Sequence, residues 1–121
     1  MTYDDDNIFA KILRGEIPCK KIYEDEFVLS FYDINPQKKI HALVIPKGKY
    51  IDLDDFANNA TNDEIVGLIR GINIVAKKLN ISVDTGKGYR ALANISEHGG
   101  QEVPHLHFHL FGGESIGKMV Q

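Results

Sequence analysis

The chain has one cysteine, Cys19, in 121 residues. A single thiol excludes an internal disulfide framework and a cysteine-built metal site, and it suits a reducing compartment. An excess of basic charge is missing as well: 14 Lys and Arg against 17 Asp and Glu leave a formal net charge of −3. That balance excludes the broad positive footprint by which proteins bind nucleic acid. No apolar run approaches the length of a membrane span, and the amino terminus, MTYDDDN, is acidic where a signal or transit peptide would be basic. A cytoplasmic location without membrane association is therefore expected. Internal repeats, low-complexity tracts and linker-like shifts of composition are also lacking, which leaves no natural place for a second domain.

What is present fits one folded domain over residues 1–121, with a core from 7 to 113 between short tails. Apolar residues make up 43% and charged residues 26%, close to ordinary globular usage. Ile8, Phe9, Ile12 and Leu13 follow helical spacing, and Gly15 with Pro18 ends the segment, so a short first helix is expected. KKIYED and FVLSFYD read as a hairpin, and Ile40 to Ile45 as a further strand ended by Pro46. From Thr61 the period changes to three and four through Ile65, Leu68, Ile69, Ile72, Val75, Ala76 and Leu79, the pattern of a long amphipathic helix. Thr61 and Glu64 form a capping-box pattern at its start. Gly67 and Gly71, four residues apart on that helix, offer a surface for close approach. GYRALANIS and VPHLHFHLFGG are read as two closing strands around a glycine loop, EHGGQ. This order predicts an α+β fold with an antiparallel sheet rather than a βαβ repeat.

The chemistry concentrates in PHLHFHLFGG, residues 104–113. In a strand, His105, His107 and His109 share one face while Leu106, Phe108 and Leu110 share the other. At about 3.3 Å per residue the imidazoles are rooted roughly 6 to 7 Å apart and can converge on one small object. Four readings compete: solvent-facing histidines, a zinc site, an imidazole nucleophile with imidazole helpers, or an anion site without turnover. Asn94, Gly99, Gly100 and Gln101 precede the strand, and glycine-rich backbone can turn its N–H groups onto a phosphate oxygen. Asp33, in FYDINP, is placed to hydrogen-bond ribose hydroxyls or simply to start a turn. His41 lies on the face shared by Leu43 and Ile45.

H-L-H-F-H-L-F resembles the histidine triad signature, in which histidines alternate with apolar residues. IFAKILRGEIPCKKIYEDE, FYDINPQKKIHALVIPK and ANISEHGGQEVPHLHFHLFGG are similar to the three blocks of the nucleotide-binding (HINT) branch of the histidine triad (HIT) family. The GG after the triad and the IPxK segment resemble this branch more than the dinucleoside polyphosphate hydrolases or the uridylyltransferases of the family. The resemblance implies a HIT-like domain with a five-stranded antiparallel sheet, one short and one long helix, and a homodimer whose sheets join across the interface. It implies a purine nucleoside monophosphate site and hydrolysis of the P–N bond of nucleoside phosphoramidates, with no cofactor, no resident metal and no nucleic-acid or membrane partner. A dinucleoside polyphosphate hydrolase, or a non-catalytic nucleotide- or zinc-binding protein, is the alternative.

Carried over residue by residue, His107 is the nucleophile, His109 its neighbour on the α-phosphate, and His105 and His41 complete the histidine cluster. Asp33 is the ribose-binding acid, and Asn94 and Gln101 stand on the phosphate side. Ile8, Phe9, Ile12, Phe31 and Leu43 form the apolar wall around the base. The chain departs from the branch's pattern at Glu102, where a serine often stands. Either the Glu102 carboxylate turns away from the anionic substrate while the N–H groups of Glu102 and Val103 hold the phosphate, or it meets a cationic leaving amine. The first is the expectation, because a carboxylate aimed at a phosphate is repelled.

Overall fold

The computed structural model describes residues 2–120. Its sheet is built around two apolar segments, 28–31 and 41–46, that are buried on both faces. β1 (Lys21–Glu24) and β2 (Val28–Tyr32) form the hairpin, with a register shift between Lys21 and Tyr23. Asp25 shapes its turn by accepting from the N–H groups of Phe27 and Val28 at 2.8 and 3.0 Å. β3 (Ile40–Pro46) pairs with β2, and the last strand, Phe108–Gly112, pairs with β3 so that Leu43 faces His109 and Val44 faces Phe108. Numbered in chain order, that last strand is β5, and β4 (Arg90–Leu92) lies at its outer side. The strand order is β1-β2-β3-β5-β4, antiparallel throughout.

Each face of this sheet is covered by a helix. α1 (Ile8–Leu13) starts at Asn7, whose side chain accepts from the Ala10 N–H at 2.9 Å. It places Phe9 against Leu29, Phe31, Leu43 and Ile45. The opposite face carries the main core, where Val28, Ala42, Val44 and Leu110 meet Leu68, Ile72 and Val75 of the long helix. That helix is the third in chain order, α3 (Asn62–Lys78), and its capping box is formed as expected: Glu64 N–H donates to Thr61 Oγ1 at 3.1 Å and Thr61 N–H to Glu64 Oε1 at 3.0 Å. Gly67 and Gly71 do provide a close approach, but to this chain's own β2 hairpin. A Cβ at Gly67 would stand 2.6 Å from Phe27 Cδ2, and one at Gly71 2.8 Å from Val28 Cγ2. Adding a methyl group there overpacks the helix–sheet contact, which costs about 1–3 kcal/mol.

Four elements differ from the sequence reading, the first being β4, which covers only Arg90–Leu92 of the GYRALANIS segment. α2 (Leu53–Asn59) was not expected; Asp52 caps it, accepting from Asp55 N–H at 2.8 Å, and Phe56 anchors it in the core. A single turn, α4 (Ser96–Gly99), replaces part of the glycine loop and ends at Gly100, whose φ of 73° is left-handed and suits glycine. β5 begins at Phe108 rather than at Val103. Pro104 has no N–H to give a ladder, and the N–H of Leu106 goes to Tyr50 O at 2.8 Å. His105 and His107 therefore approach the strand from an irregular segment, and only His109 is a ladder residue. Among the described residues, no helix is long and apolar enough to cross a membrane.

Candidate active site

Where β3, β5 and the Asn94–Val103 loop meet α1, a cavity of about 380 Å³ opens on the Phe9 side of the sheet. That volume lies in the range of small-molecule sites. His107 and His109 line it together with His41, Asp33 and Asn94. Phe9, Leu43 and Val103 give it an apolar wall, and Gly100 and Glu102 close its loop side.

The hydrogen bonds fix which nitrogen of each ring carries the proton, because a carbonyl or a backbone N–H can play only one part. His107 Nδ1 lies 2.7 Å from His105 O, so Nδ1–H donates and Nε2 keeps its lone pair. This bond sets its tautomer. The ring also rests edge-on against Phe9, with centroids 4.9 Å apart. His105 Nε2–H donates to Pro46 O at 2.8 Å, and its Nδ1 accepts from the Tyr3 hydroxyl at 2.6 Å.

A second pair is built ring to ring. Gln37 N–H donates to His41 Nδ1 at 3.1 Å, so His41 Nε2–H donates to His109 Nδ1 at 2.9 Å. His109 then presents an Nε2–H. Asp33 Oδ2 lies 3.4 Å from His41 Nε2, and Asp33 Oδ1 accepts from Asn35 N–H at 2.8 Å, so the residue starts its turn and lines the cavity at once. Asp33, His41 and His109 also offer ligand atoms within 4.8 Å of one another, enough to hold a metal ion.

Burial governs the charge state of all four rings. It pushes His105 down to about 4, with the Pro46 carbonyl opposing and the His107 charge adding. It pushes His109 down to about 4, helped by repulsion from His107 and His41 and opposed by Asp33. His41 and His107 are also lowered by burial; Asp33 opposes this at His41, and the His105 carbonyl, Asp33 and Glu102 oppose it at His107. At neutral pH the set is uncharged, so His107 Nε2 is available as a nucleophile.

Several expected residues stand elsewhere. His105 is fully buried behind the cavity, not in its wall. Gln101 is absent from the wall too, since its amide ties the loop together: Nε2 donates to Ile51 O at 2.7 Å and Val103 O at 3.0 Å, while Oε1 accepts from Ser96 N–H at 3.0 Å. Ile8 is 45% exposed, and Ile12 and Phe31 pack in the cluster around Phe9 without reaching the cavity. Glu102 is among the residues that line the cavity, and its charge favours a protonated His107. Asn35 and Gln37 also line the site, although NPQ reads in the sequence only as a turn. Tyr3, in the acidic amino-terminal segment, carries no local signal of its contact with His105.

An α+β domain with one imidazole oriented on a cavity wall beside a hydrogen-bonded imidazole pair is thus defined by fold and site together. A family model described as HIT domain matches residues 14–116. The chain is 54% identical over 119 residues to an uncharacterized 13.2 kDa HIT-like protein of Azospirillum brasilense, covering 98% of this chain and 95% of that protein. It is 39% identical over 116 residues to the purine nucleoside phosphoramidase of Escherichia coli K12, covering 96% and 94%. Among solved structures, a HIT family hydrolase from Clostridium thermocellum superposes with a TM-score of 0.85 at 35% identity, over 98% of this chain and 99% of that one. The chain belongs to the HIT family, and its sheet and helices are the HIT-like fold.

Proposed function

We propose that this protein is a nucleotide-binding hydrolase that cleaves the P–N bond of purine nucleoside 5'-phosphoramidates through a covalent nucleotidyl-histidine. The observation that carries the reading is the His107 ring, which is held at Nδ1 by a main-chain carbonyl while its other nitrogen has no partner among the described residues. A ring fixed in this way on a cavity wall is an oriented nucleophile at neutral pH. Similarity to a purine nucleoside phosphoramidase over nearly the whole chain supports the choice of bond.

In the proposed cycle Phe9, Leu43 and Val103 hold the base, Asp33 the ribose, and Asn94 with the loop N–H groups the phosphoryl oxygens. His107 Nε2 attacks phosphorus; the Nε2–P bond forms as the P–N bond breaks, and the amine departs with the electron pair. The negative charge of a bound phosphoryl group raises the proton affinity of the imidazoles beside it. The His41–His109 pair, with Asp33 3.4 Å away, takes up a proton from solvent, His109 delivers one through Nε2 to the leaving amine, and the water that attacks in the second step gives a proton back. Water then cleaves the Nε2–P bond, releasing the nucleoside monophosphate and restoring His107. Val66 and Ile69, 48% and 61% exposed on α3, support a homodimer in which that helix is covered.

Rapid quench of the enzyme with radiolabelled adenosine 5'-phosphoramidate, without acid, tests this reading. Label on His107 is expected, and turnover with no label on the protein would reject the covalent route. Activity that a chelator removes and zinc restores would point instead to the Asp33, His41 and His109 cluster as a metal centre.

A further inference from the structure

The cavity wall carries two carboxylates, Asp33 and Glu102, and among the described residues neither a lysine nor an arginine. A site for an anionic phosphoryl group would ordinarily include one of those cations. Asp33 is already engaged, one oxygen accepting from Asn35 N–H at 2.8 Å and the other 3.4 Å from His41. Glu102 differs: it is exposed on the loop side of the cavity, and among the described residues its carboxylate has neither a hydrogen-bond nor an ion-pair partner. In the binding mode proposed above, Phe9 and Leu43 hold the nucleoside at the apolar wall, which leaves the loop side of the cavity, where Glu102 stands, to the leaving group.

We propose that Glu102 is a specificity residue that selects phosphoramidates whose leaving amine carries a second, cationic nitrogen, such as those of diamines. This rests on the phosphoramidase reading and narrows it to one substrate class. A carboxylate in this place repels the phosphoryl oxygens and attracts an ammonium, so the cavity favours a substrate that brings its own cation. The chemical step is unchanged: the Nε2–P bond forms, the P–N bond breaks, the departing nitrogen takes the electron pair and a proton, and the remote ammonium stays a spectator. Because the contact is made at an exposed side chain, it is salt-sensitive.

The test compares kcat/KM for three adenosine 5'-phosphoramidates of matched length, built on 1,3-diaminopropane, butylamine and β-alanine. The diamine compound is expected to exceed the butylamine compound by about 10-fold at low salt, the range of a single well-placed charge contact. The β-alanine compound is expected to be the slowest of the three. In Glu102→Gln the diamine-to-butylamine ratio is expected to fall to near 1, and Glu102→Lys is expected to place the β-alanine compound first. The ratio within each variant is the readout, so a change in folded fraction cancels. A wild-type ratio near 1, or one unchanged in Glu102→Gln, overturns the assignment of Glu102 while leaving the phosphoramidase reading standing. Failure to cleave any of the three overturns both.

Discussion

His105 and His107 each donate to a main-chain carbonyl, whereas His41 donates to the ring of His109. In the first pair each ring donates to a carbonyl, His105 to Pro46 O at 2.8 Å and His107 to His105 O at 2.7 Å. A carbonyl only accepts, so these tautomers are fixed while the rings stay neutral. In the second pair the 2.9 Å bond joins two ring nitrogens, His41 donating and His109 accepting while both are neutral, so a proton taken up by the pair rearranges that bond. Placement follows the same division. His105 is sealed and His107 turns one nitrogen to the cavity, while His41 and His109 share a carboxylate neighbour, Asp33. The alternating histidines thus divide between two settings: His107 is held in one tautomer by a main-chain carbonyl, while His109 is tied ring to ring with His41 of β3.

Removing the reactive member of the first pair breaks the comparison most severely. His107→Ala is expected to lower kcat on adenosine 5'-phosphoramidate by on the order of 10³-fold or more, the scale on which loss of a nucleophile acts. Binding of adenosine monophosphate by titration calorimetry should persist, because Phe9, Leu43 and Asp33 remain. Retention of full turnover would remove His107 from the role.

Next in size is the response of the fold to acid. His105 has a folded pKa of about 4 against an ordinary value of 6.5, so it is the unfolded chain that binds the proton between those values. Stability is then complete above about pH 6.5 and falls as the pH drops toward 4, by about 3 kcal/mol from this ring. His109, also lowered to about 4, acts in the same direction and the same window. Urea unfolding from pH 7.5 to 4 measures the slope. In His105→Gln the acid-dependent loss should shrink, and an unchanged slope would assign it to other groups.

The second pair is probed by His41→Asn, which takes away the ring that orients His109. A fall in kcat of about 10- to 100-fold is expected, the usual effect of deleting a partner that aims an acting imidazole. The acidic limb of the kcat/KM profile should shift at the same time, since the repulsion from His41 that helps to lower the His109 pKa is gone. A merely structural defect would lower the amplitude and leave that limb in place.

How much of this was legible in the sequence depends on the range of the contact that decides each feature. α3 was legible to within a residue because both of its signals, the Thr61–Glu64 box and the apolar period, are local. α2 was passed over: over seven residues only Leu53 and Phe56 mark its buried side, too few for a period to emerge, although Asp52 was a usable cap. The alternation of His105, His107 and His109 correctly drew attention to one region, but it implied three equivalent rings. Their inequivalence is set by bonds that span the chain, to Pro46 from His105 and to His41 from His109. Gln101 sits beside Gly100 and looks like a phosphate contact; its amide is consumed by Ile51, Val103 and Ser96, which no spacing foretells.

The smallest expected effect comes from the residue farthest in sequence from the pair it serves. Tyr3 lies 102 residues from His105 and gives its hydroxyl to Nδ1 at 2.6 Å, with the two rings edge-on and 5.6 Å between centroids. Burial raises the Tyr3 pKa, so the phenol remains a donor throughout the neutral range. Tyr3→Phe keeps the ring contact and removes the donor, leaving a buried acceptor on His105 unsatisfied. The expected cost is about 1–2 kcal/mol in urea unfolding. If the hydroxyl acts only through His105, Tyr3→Phe should cost nothing further in a His105→Leu background, since the acceptor is then gone, and the double-mutant cycle reads that coupling directly. Kinetics give an independent reading. His107 is aimed by the His105 carbonyl rather than by its ring, so Tyr3→Phe should change kcat by no more than a few-fold. A drop comparable with that of His41→Asn would mean that the sealed ring, and not just its main chain, sets the position of the nucleophile.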